Sequence, residues 1–475
     1  MNILVTGATG YIGRQLIPRL SAEGHHVTCL VRDPQRLIGN NWNTIEIHQG
    51  DVLDLASLDS VMQGIEIAYY LIHSMAGGKR GFIQRDEAAA RNFGKVAREA
   101  GVRRIIYLGG LGQCEKNISP HLDSRQHVGD ELRRSGVPVT EFRAPIIIGS
   151  GSMSFEMIRY LTERLPILFT PQWINTLCQP IAIENILDYL TTSLREPQSI
   201  DSIFEIGGPD VLTYKDIMHG YAIARGLKRS FITLPFLTTQ ILAIGADVIT
   251  PLPTPYLQIL IEGLRSEVMV HDPSAHDIFK IKPIPYRLAL EQALKRDGSG
   301  EVETYWAGTQ ADAHPGVTRK DTQGMYIEQH RTASIAQPEA VFSSFARIGG
   351  KRGWYYANWL WQLRGWLDQL VGGPGMRRGR PDPDVLQPGD VLDGWRVESV
   401  ETDRLIRLRF DMKAPGPAWL QFEALPRKGG GTLLSITAFF EPRGIGGLLY
   451  WYSLFPFHVL IFKGMSRAIL KLAEA

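Results

Sequence analysis

A histidine and an arginine lie four residues apart in the segment HLDSRQHVGDEL, residues 121–132, which follows a strand-like run and predicts the start of a helix. An imidazole titrates near neutral pH, so His121 could donate a proton. The guanidinium of Arg125 could hold a ribose or a phosphate, because that role requires charge and hydrogen-bond donors. The pair suggests either an unusual catalyst or a pocket without catalysis.

A glycine-rich turn near the N-terminus gives the strongest chemical signal in the sequence. In ILVTGATGYIGRQL, three glycines lie between an apolar strand and a predicted helix. Glycines allow a tight turn and close approach to a pyrophosphate, and the helix N-terminus supplies amide donors and a favourable dipole. A tight turn without a ligand is the alternative. The residues predicted to hold a dinucleotide here are Gly7, Thr9, Gly10, Tyr11, Ile12 and Gly13.

Two further positions bear on the choice of nucleotide. Arg32 comes directly after the second predicted strand, where a guanidinium would match a 2′-phosphate, although Asp33 follows it. We therefore expect NADP(H) to be preferred, with NAD(H) possible.

Asp51 and Val52 follow the third strand and are predicted to meet the adenine. An alternative role for Asp51 is to cap the next helix.

The order of elements predicts how these residues are positioned. Buried strands alternate with helices over residues 1–150, which is typical of an α/β, Rossmann-like, doubly wound parallel sheet. A looser, mostly helical segment over 150–295 predicts a substrate-side lobe of the same domain. The polar, Gly- and Thr-containing segment 296–324 predicts a linker.

The sequence changes character after residue 324. Five strand-like runs separated by turns predict an α+β domain with an antiparallel sheet over 325–475. Residues 444–462 carry no charge, and about 20 apolar residues could span a bilayer. A buried helix, with possible contact to a membrane surface, is preferred over a spanning segment. The tryptophans near residue 360 are expected to lie in the core.

The motifs VTGATGYIG, VRDP, GDVLD, GVRRIIYLGG and FEIGGPDVLTY together resemble an atypical short-chain dehydrogenase/reductase of the NmrA-like group. This group includes the accessory NADPH-binding subunit of respiratory complex I. The resemblance covers residues 1–295 and implies NAD(P) binding. The C-terminal half, with GWYYANWLWQLRGWLD, is similar to an uncharacterised domain of the START-like, helix-grip type, which implies a small apolar ligand or lipid.

The same resemblance implies a catalytic pair that this chain lacks. Active members of the superfamily carry Tyr-x-x-x-Lys on the helix after the fifth strand, and His121 and Arg125 stand at that spacing here. Gly109 and Gly110 replace the expected hydroxyl side chain. His121 and, after the fourth strand, His73 are the candidate proton donors, while Arg125 could still bind the cofactor.

Composition narrows the remaining classes of function. The formal net charge of +2 gives no reason to expect nucleic-acid binding. Three scattered cysteines and no recognisable signal peptide favour a cytoplasmic protein, with membrane association possible. His271 and His276 are five residues apart, which does not place both on one helical face, so no metal site is predicted.

Three functions remain open from the sequence. The first is a nucleotide-binding protein without turnover, with a role in redox sensing or assembly and a possible protein partner. The second is an NADPH-dependent oxidoreductase that acts on a hydrophobic substrate with a nonstandard proton donor. The third is a lipid or isoprenoid carrier regulated by nucleotide. The oligomeric state is not predicted.

Overall fold

The computed structural model describes residues 1–37, 45–72, 81–112, 119–250, 254–298, 316–322, 325–370, 372–376, 379–380, 382, 384–427 and 430–474. The chain divides into two compact units, Met1–Gly308 and Thr309–Ala475. Each unit is described by itself below.

The first unit alternates strands and helices along the chain, beginning with the strand that precedes the glycine-rich turn. Its elements are β1 (Asn2–Thr6), α1 (Tyr11–Ala22), β2 (His26–Val31), β3 (Glu46–Gln49), α2 (Leu55–Met62), β4 (Ile67–Tyr70), α3 (Gly81–Glu99), β5 (Arg104–Gly110), α4 (Pro120–Arg134), β6 (Val139–Ala144), β7 (Ile147–Ile148), α5 (Met153–Arg164), β8 (Ile167–Thr170), β9 (Leu177–Cys178), β10 (Ile181–Ala182), α6 (Ile183–Thr192), β11 (Ser202–Glu205), β12 (Leu212–Thr213), α7 (Tyr214–Ala224), β13 (Ser230–Thr233), α8 (Thr239–Ile249), α9 (Thr254–Gly263), α10 (Ser274–Phe279) and α11 (Tyr286–Gly298).

The main sheet of this unit has seven parallel strands in the order β11-β6-β5-β4-β1-β2-β3. The prediction of a doubly wound α/β sheet is therefore confirmed. Strands β2 and β3 are added on one side of β1, and β4 and the later strands are added on the other side, so the strand order reverses between β1 and β4. In open α/β sheets this switch point opens the crevice in which ligands bind at the carboxyl ends of the strands.

Helices cover both faces of the sheet because its central strands are apolar on both sides. In β1, Ile3 and Val5 belong to one buried cluster, together with Leu16 of α1. Leu4 points to the other face, where it joins Leu58 of α2 in a second cluster. The two clusters hold β1 and the start of α1 in place, so the glycine-rich turn between them is rigidly supported.

The second unit is built on a sheet of antiparallel strands. Its elements are β14 (Gly316–Thr322), β15 (Met325–Ser334), α12 (Pro338–Ala346), α13 (Asn358–Leu370), β16 (Val391–Leu392), β17 (Trp395–Glu401), β18 (Leu405–Phe410), β19 (Ala418–Pro426), β20 (Thr432–Phe440) and α14 (Gly444–Ala473). The strand order is β14-β15-β20-β19-β18-β17-β16. The predicted antiparallel sheet is confirmed.

Strand β14 corrects the prediction of a linker over 296–324, because it lies inside that range and pairs with β15 along its whole length. The sequence GVTRKDT is polar and lacks the apolar alternation that predicts a strand. Edge strands commonly carry charged side chains, because these discourage pairing with other chains. The helix α11 also continues to Gly298, past the predicted start of the linker.

Helix α14 is long and apolar enough to cross a membrane by length and composition. One of its faces is nevertheless packed in the core of the second unit, where Leu448, Trp451, Phe462 and Met465 contact the inner side of the sheet. Trp354 is also in this core, as the sequence predicted, whereas Trp359 of α13 is exposed.

Candidate cofactor site

The glycine-rich turn has the tight geometry that close approach of a phosphate requires. Gly7 has a φ of 75°, and a Cβ atom there would lie 2.5 Å from the carbonyl oxygen of Leu71. A Cβ on Gly13 would lie 2.5 Å from the carbonyl oxygen of Gly7. Only glycine fits these two positions without displacement of the backbone. The turn therefore satisfies the steric conditions for a dinucleotide.

The N-terminus of α1 faces the same turn. Gly10 is the N-cap residue of α1, and its amide donates to the carbonyl of Gly7 at 2.8 Å. Because glycine has no side chain, it cannot accept a hydrogen bond from the first amides of the helix. The first amides of a helix have no acceptor within the helix, so they can donate to an anion. Thr9 is half-buried in the turn. The side chain of Ile12 packs against the core, so its contribution would come from the backbone.

Tyr11 connects this turn with the loop that follows β7. A side chain on Gly149 would overlap the hydroxyl oxygen of Tyr11, and a Cβ on Gly151 would lie 3.4 Å from its ring. The tyrosine therefore lies over these two glycines. Its ring helps to fix the distance between the start of α1 and the carboxyl edge of the sheet.

Arg32 is exposed directly after β2, at the carboxyl edge of the sheet. Its backbone is held by Gln49, whose Nε2 donates to the carbonyl of Arg32 at 3.2 Å. The neighbouring Asp33 is half-buried. The guanidinium, rather than the carboxylate, is thus the more exposed charge at the end of β2.

Asp51 and Val52 lie in the turn after β3. Asp51 accepts from the amide of Leu53 at 3.0 Å, and the N-cap of α2 is Asp54, which accepts from Ala56 at 3.1 Å. The alternative in which Asp51 caps the helix is therefore wrong, because the N-cap is Asp54, three residues later. The side chain of Val52 is buried in the core, so only its backbone is available to a nucleotide. His73, predicted on the nicotinamide side, lies outside the described residues.

His121 is placed at the start of α4, one turn from Arg125, as the sequence predicted. Burial, and to a smaller extent the nearby positive charge of Arg125, together lower the pKa of His121 to about 4. The imidazole is therefore neutral at pH 7. A neutral imidazole is a much weaker acid than an imidazolium, so this environment does not favour His121 as a proton donor.

The guanidinium of Arg125 is held by the protein itself. It donates to the carbonyl oxygen of Leu108 in β5, and its Cζ lies 5.4 Å from the centre of the Tyr107 ring. The hydroxyl of Tyr107 in turn donates to the carbonyl of Arg125 at 2.7 Å. A Cβ on Gly110 would lie 2.7 Å from Leu122, so α4 fills the space of a catalytic hydroxyl side chain.

Sequence reasoning missed a buried charge beside this edge of the sheet. Glu141 of β6 is fully buried and forms ion pairs with Arg133 of α4 and, at 2.7 Å, with Nε of Arg143. A side chain on Gly129 would overlap the carboxylate, so that glycine allows α4 to approach β6. The sequence does indicate such a charge pair, because Glu141 and Arg143 are both charged residues within the predicted strand VTEFRA.

Metal ligands do not cluster in the part of the chain that the structure describes. No group of three or more His, Cys, Asp or Glu side chains there has the arrangement of a metal site. His276 lies on the short helix α10, and the amide of His271 donates to Glu205 at 2.7 Å.

Comparison with protein families identifies two regions of the chain. Residues 7–148 match the family described as "NAD(P)H-binding". Residues 322–465 match the family described as "Protein of unknown function (DUF2867)". The first match contains the glycine-rich turn, Arg32, Asp51 and α4, and the second covers strands β15 to β20 of the antiparallel sheet and most of α14.

Several curated proteins are similar to part of this chain. The chain is 28% identical to the ceramide reductase of Caulobacter vibrioides over 239 residues, which cover 49% of this chain and 73% of that protein. It is 23% identical over 301 residues to subunit 9 of the NADH dehydrogenase alpha subcomplex of Arabidopsis thaliana. That alignment covers 60% of this chain and 74% of the subunit. Several other curated relatives are matched over less than two thirds of their own length.

Among solved structures, the triphenylmethane reductase of a Citrobacter species complexed with NADP(H) superposes with a TM-score of 0.51 at 19% identity. The superposition covers 62% of this chain and 100% of that one. This likeness shows the fold of the first unit. With the family match over residues 7–148 and the geometry of the turn, it follows that the first unit contains an NAD(P)H-binding domain, which is similar to NmrA-like, atypical short-chain dehydrogenases/reductases.

Proposed function

We propose that the protein binds NADP(H) without the usual tyrosine–lysine proton relay and acts in redox sensing or assembly, with an apolar ligand in a START-like C-terminal domain. The observation that carries this proposal is the state of the His121–Arg125 pair. The arginine donates to the carbonyl of Leu108, and the histidine is neutral at pH 7. Arg125 thus holds α4 against β5, and His121 is not in the protonated form that a proton donor requires.

The filled space at Gly110 supports the same proposal. Leu122 lies where a hydroxyl side chain would project, so the substrate oxygen would meet a methyl group instead of a donor. Tyr107 cannot substitute as a donor, because its ring is fully buried, its hydroxyl donates to the carbonyl of Arg125, and burial raises its pKa far above the usual value. Binding without turnover therefore fits these side chains.

Arg32→Ala is expected to weaken NADPH binding by roughly tenfold to a hundredfold, because a hydrogen bond to a charged group contributes about 1.5–3 kcal/mol. NADH lacks the 2′-phosphate, so its affinity should change little. Fluorescence titration of the full chain with each nucleotide measures both constants. As a control, Arg287→Ala removes an exposed arginine on α11, whose Nε is 3.1 Å from Glu291, and should leave both affinities unchanged. Equal loss for NADPH and NADH would contradict the assignment of Arg32 to the phosphate.

A second candidate, an NADPH-dependent reductase of a hydrophobic substrate, is favoured by the similarity to the ceramide reductase. The bound nicotinamide would supply a hydride, and the substrate would have to obtain its proton from water or from His121. If the protein binds nucleotide without turnover, we expect negligible NADPH oxidation with a panel of aldehydes, ketones and long-chain 3-oxo compounds. Robust oxidation that disappears in His121→Ala, and survives in the control His127→Ala on an exposed position of α4, would establish the reductase instead.

The apolar-ligand part of the proposal rests on the second unit, where an antiparallel sheet with a buried apolar face packs against α14. That arrangement is compatible with a helix-grip domain. Native mass spectrometry of the full chain, as purified from cells, is the direct test. A retained lipid-like mass would support binding of an apolar ligand and would also be consistent with a carrier role. If the released small molecules are nucleotides alone, the C-terminal domain does not act through a bound apolar ligand.

A further inference from the structure

Helix α13 turns an apolar face to solvent. Its exposed apolar positions recur every three or four residues, which is the spacing of one helical face. They are Trp359, Leu363, Trp366, Leu367 and Leu370. The opposite face carries Asp368, which is buried and accepts from the amides of Gly375 at 2.8 Å and Lys413 at 2.6 Å. The helix is therefore attached through this opposite face, where Trp361 also packs against the core, and Trp359 and Trp366 remain 65% and 57% exposed.

Helix α14 carries a second exposed apolar stripe over its first half. Its members are Ile445, Leu449, Tyr452, Phe457 and Leu460. The opposite side of the helix is packed against the sheet, as described above. A contiguous exposed surface of large apolar side chains in a folded protein marks an interaction site.

The exposed face of α14 changes from apolar to cationic along the helix. After Leu460 it continues, at successive helical turns, with the exposed residues Lys463, Arg467 and Lys471. The helix contains no Asp or Glu, and the one acidic residue of α13 is the buried Asp368. The two helices thus present apolar and positive groups to solvent and no exposed carboxylate of their own.

The two helices are in direct contact, so their stripes belong to one region of the second unit. Nε of Arg364 on α13 donates to the hydroxyl of Tyr450 on α14 at 3.3 Å. The same guanidinium donates from Nη2 to the carbonyl of Lys413 at 2.6 Å. This arginine holds α13 beside the apolar half of α14.

We infer that the exposed faces of α13 and α14 dock onto the surface of an anionic lipid bilayer, with both helices lying in the plane of the interface. Tryptophan, leucine and tyrosine side chains favour the boundary between headgroups and acyl chains, and lysine and arginine attract anionic lipids. The absence of an exposed carboxylate on these helices removes the repulsion that such a surface would otherwise cause. This inference is independent of nucleotide binding.

Packing of the inner face of α14 favours docking over spanning. Near the middle of the helix, Nδ1 of His458 donates to the buried carboxylate of Glu328 in β15 at 3.2 Å. Phe462 contacts the ring of His330 with ring centres 5.3 Å apart. A helix that crossed a bilayer alone would have to give up these contacts and bury the freed histidine in hydrocarbon, which is costly.

The test is flotation of the full chain with phosphatidylcholine vesicles, with and without 30% phosphatidylserine, chosen as a roughly physiological anionic content. We expect binding to the anionic vesicles and at least about tenfold weaker binding to the neutral ones, since each cation contributes about 1 kcal/mol at such a surface. Trp359→Ser/Trp366→Ser should reduce binding about tenfold or more, and Lys463→Glu/Arg467→Glu should abolish the preference for anionic lipid. All four side chains are exposed, so the variants should remain folded.

Matched controls lie in the first unit. Phe236→Ser removes an exposed aromatic side chain and Lys228→Glu reverses an exposed charge, and neither should alter vesicle binding. Wild-type and variant chains that float equally, or not at all, would overturn the inference. So would a wild-type dimer, seen by light scattering, that becomes monomeric in Trp359→Ser/Trp366→Ser without lipid. Bound protein that resists extraction at alkaline pH would instead show that α14 spans the bilayer.

Discussion

Gly13→Ala is expected to weaken the binding of NADPH and NADH alike, by roughly tenfold to a hundredfold. The new Cβ would lie 2.5 Å from the carbonyl oxygen of Gly7 and 2.9 Å from Cα of Ala8, both of which are backbone atoms. Relief of this overlap requires the first turn of α1 to move away from the glycine-rich turn. Overpacking of this kind costs about 1–3 kcal/mol, and here it separates the amide donors from the phosphates that they would bind.

The measurement is a fluorescence titration with each nucleotide, combined with thermal unfolding to establish that the variant is folded. Gly24→Ala provides a matched control just after the other end of α1. Gly24 has a φ of 81°, but no atom lies within 4 Å of the added Cβ. The control therefore carries a backbone strain of about 1 kcal/mol without obstructing the turn. A Gly13→Ala chain that binds nucleotide as tightly as Gly24→Ala would show that the phosphates bind elsewhere.

The residues that determine the fold were readable because their signals are local. The glycines at 7, 10 and 13 lie between an apolar strand and an amphipathic helix, and the steric demand at Gly10 and Gly13 comes from Gly7 in the same turn. The same holds for the strands of the second unit, whose alternation of inward and outward residues is visible in the sequence. The strands that the sequence does not predict in this unit are β14 and the two-residue β16, which lie at the two edges of the sheet, where a strand need not be apolar.

The state of the candidate catalytic residues could not be read in this way. Spacing placed His121 and Arg125 on one helix, but the carbonyl of Leu108 and the ring of Tyr107, which hold Arg125, come from another element. The low pKa of His121 follows from burial, which no local pattern reports. Glu141 and its two arginines likewise form a pairing between β6 and α4 that appears only once the strand and helix are packed together.

The sequence also does not show which tryptophans of α13 are exposed. Trp359 and Trp361 are two residues apart, and composition alone predicted that such tryptophans lie in the core. Trp361 does pack beside Trp354, with ring centres 4.6 Å apart, whereas Trp359 points to solvent. The helical period separates them, but which face is buried depends on the attachment of Asp368 and Arg364, whose partners come from later segments of the chain.

Glu328→Gln is expected to lower the free energy of unfolding of the second unit by about 3 kcal/mol at pH 7. The carboxylate is fully buried and accepts from Nε2 of His330 at 2.8 Å and from Nδ1 of His458 at 3.2 Å. A glutamine offers one acceptor oxygen and an amide that cannot accept, so one imidazole loses its partner. Loss of one member of a buried charged group costs about 3–5 kcal/mol.

The pH dependence follows from the direction of the shift in the pKa of Glu328. Burial alone would raise this pKa, but the hydrogen bonds and charges of His330 and His458 lower it below the usual value. A carboxyl group whose pKa is lower in the folded state stabilises the fold above the unfolded pKa, about 4.3 for glutamate. That stabilisation disappears as the pH falls through the lower folded value. The wild type should therefore lose stability below about pH 5, and Glu328→Gln should lose less.

Denaturant unfolding at a series of pH values, followed by tryptophan fluorescence, measures both effects. The probe reports mainly on the second unit, because seven of the ten tryptophans lie within 325–475. Glu401→Gln in β17 is the matched control: its side chain is exposed and pairs with Arg404 at 2.8 Å, a surface ion pair worth about 0–1 kcal/mol. If Glu328→Gln unfolds at the same denaturant concentration as Glu401→Gln throughout the pH range, the buried carboxylate does not hold β15 to α14, and the inner face of that helix must be held by its apolar contacts alone.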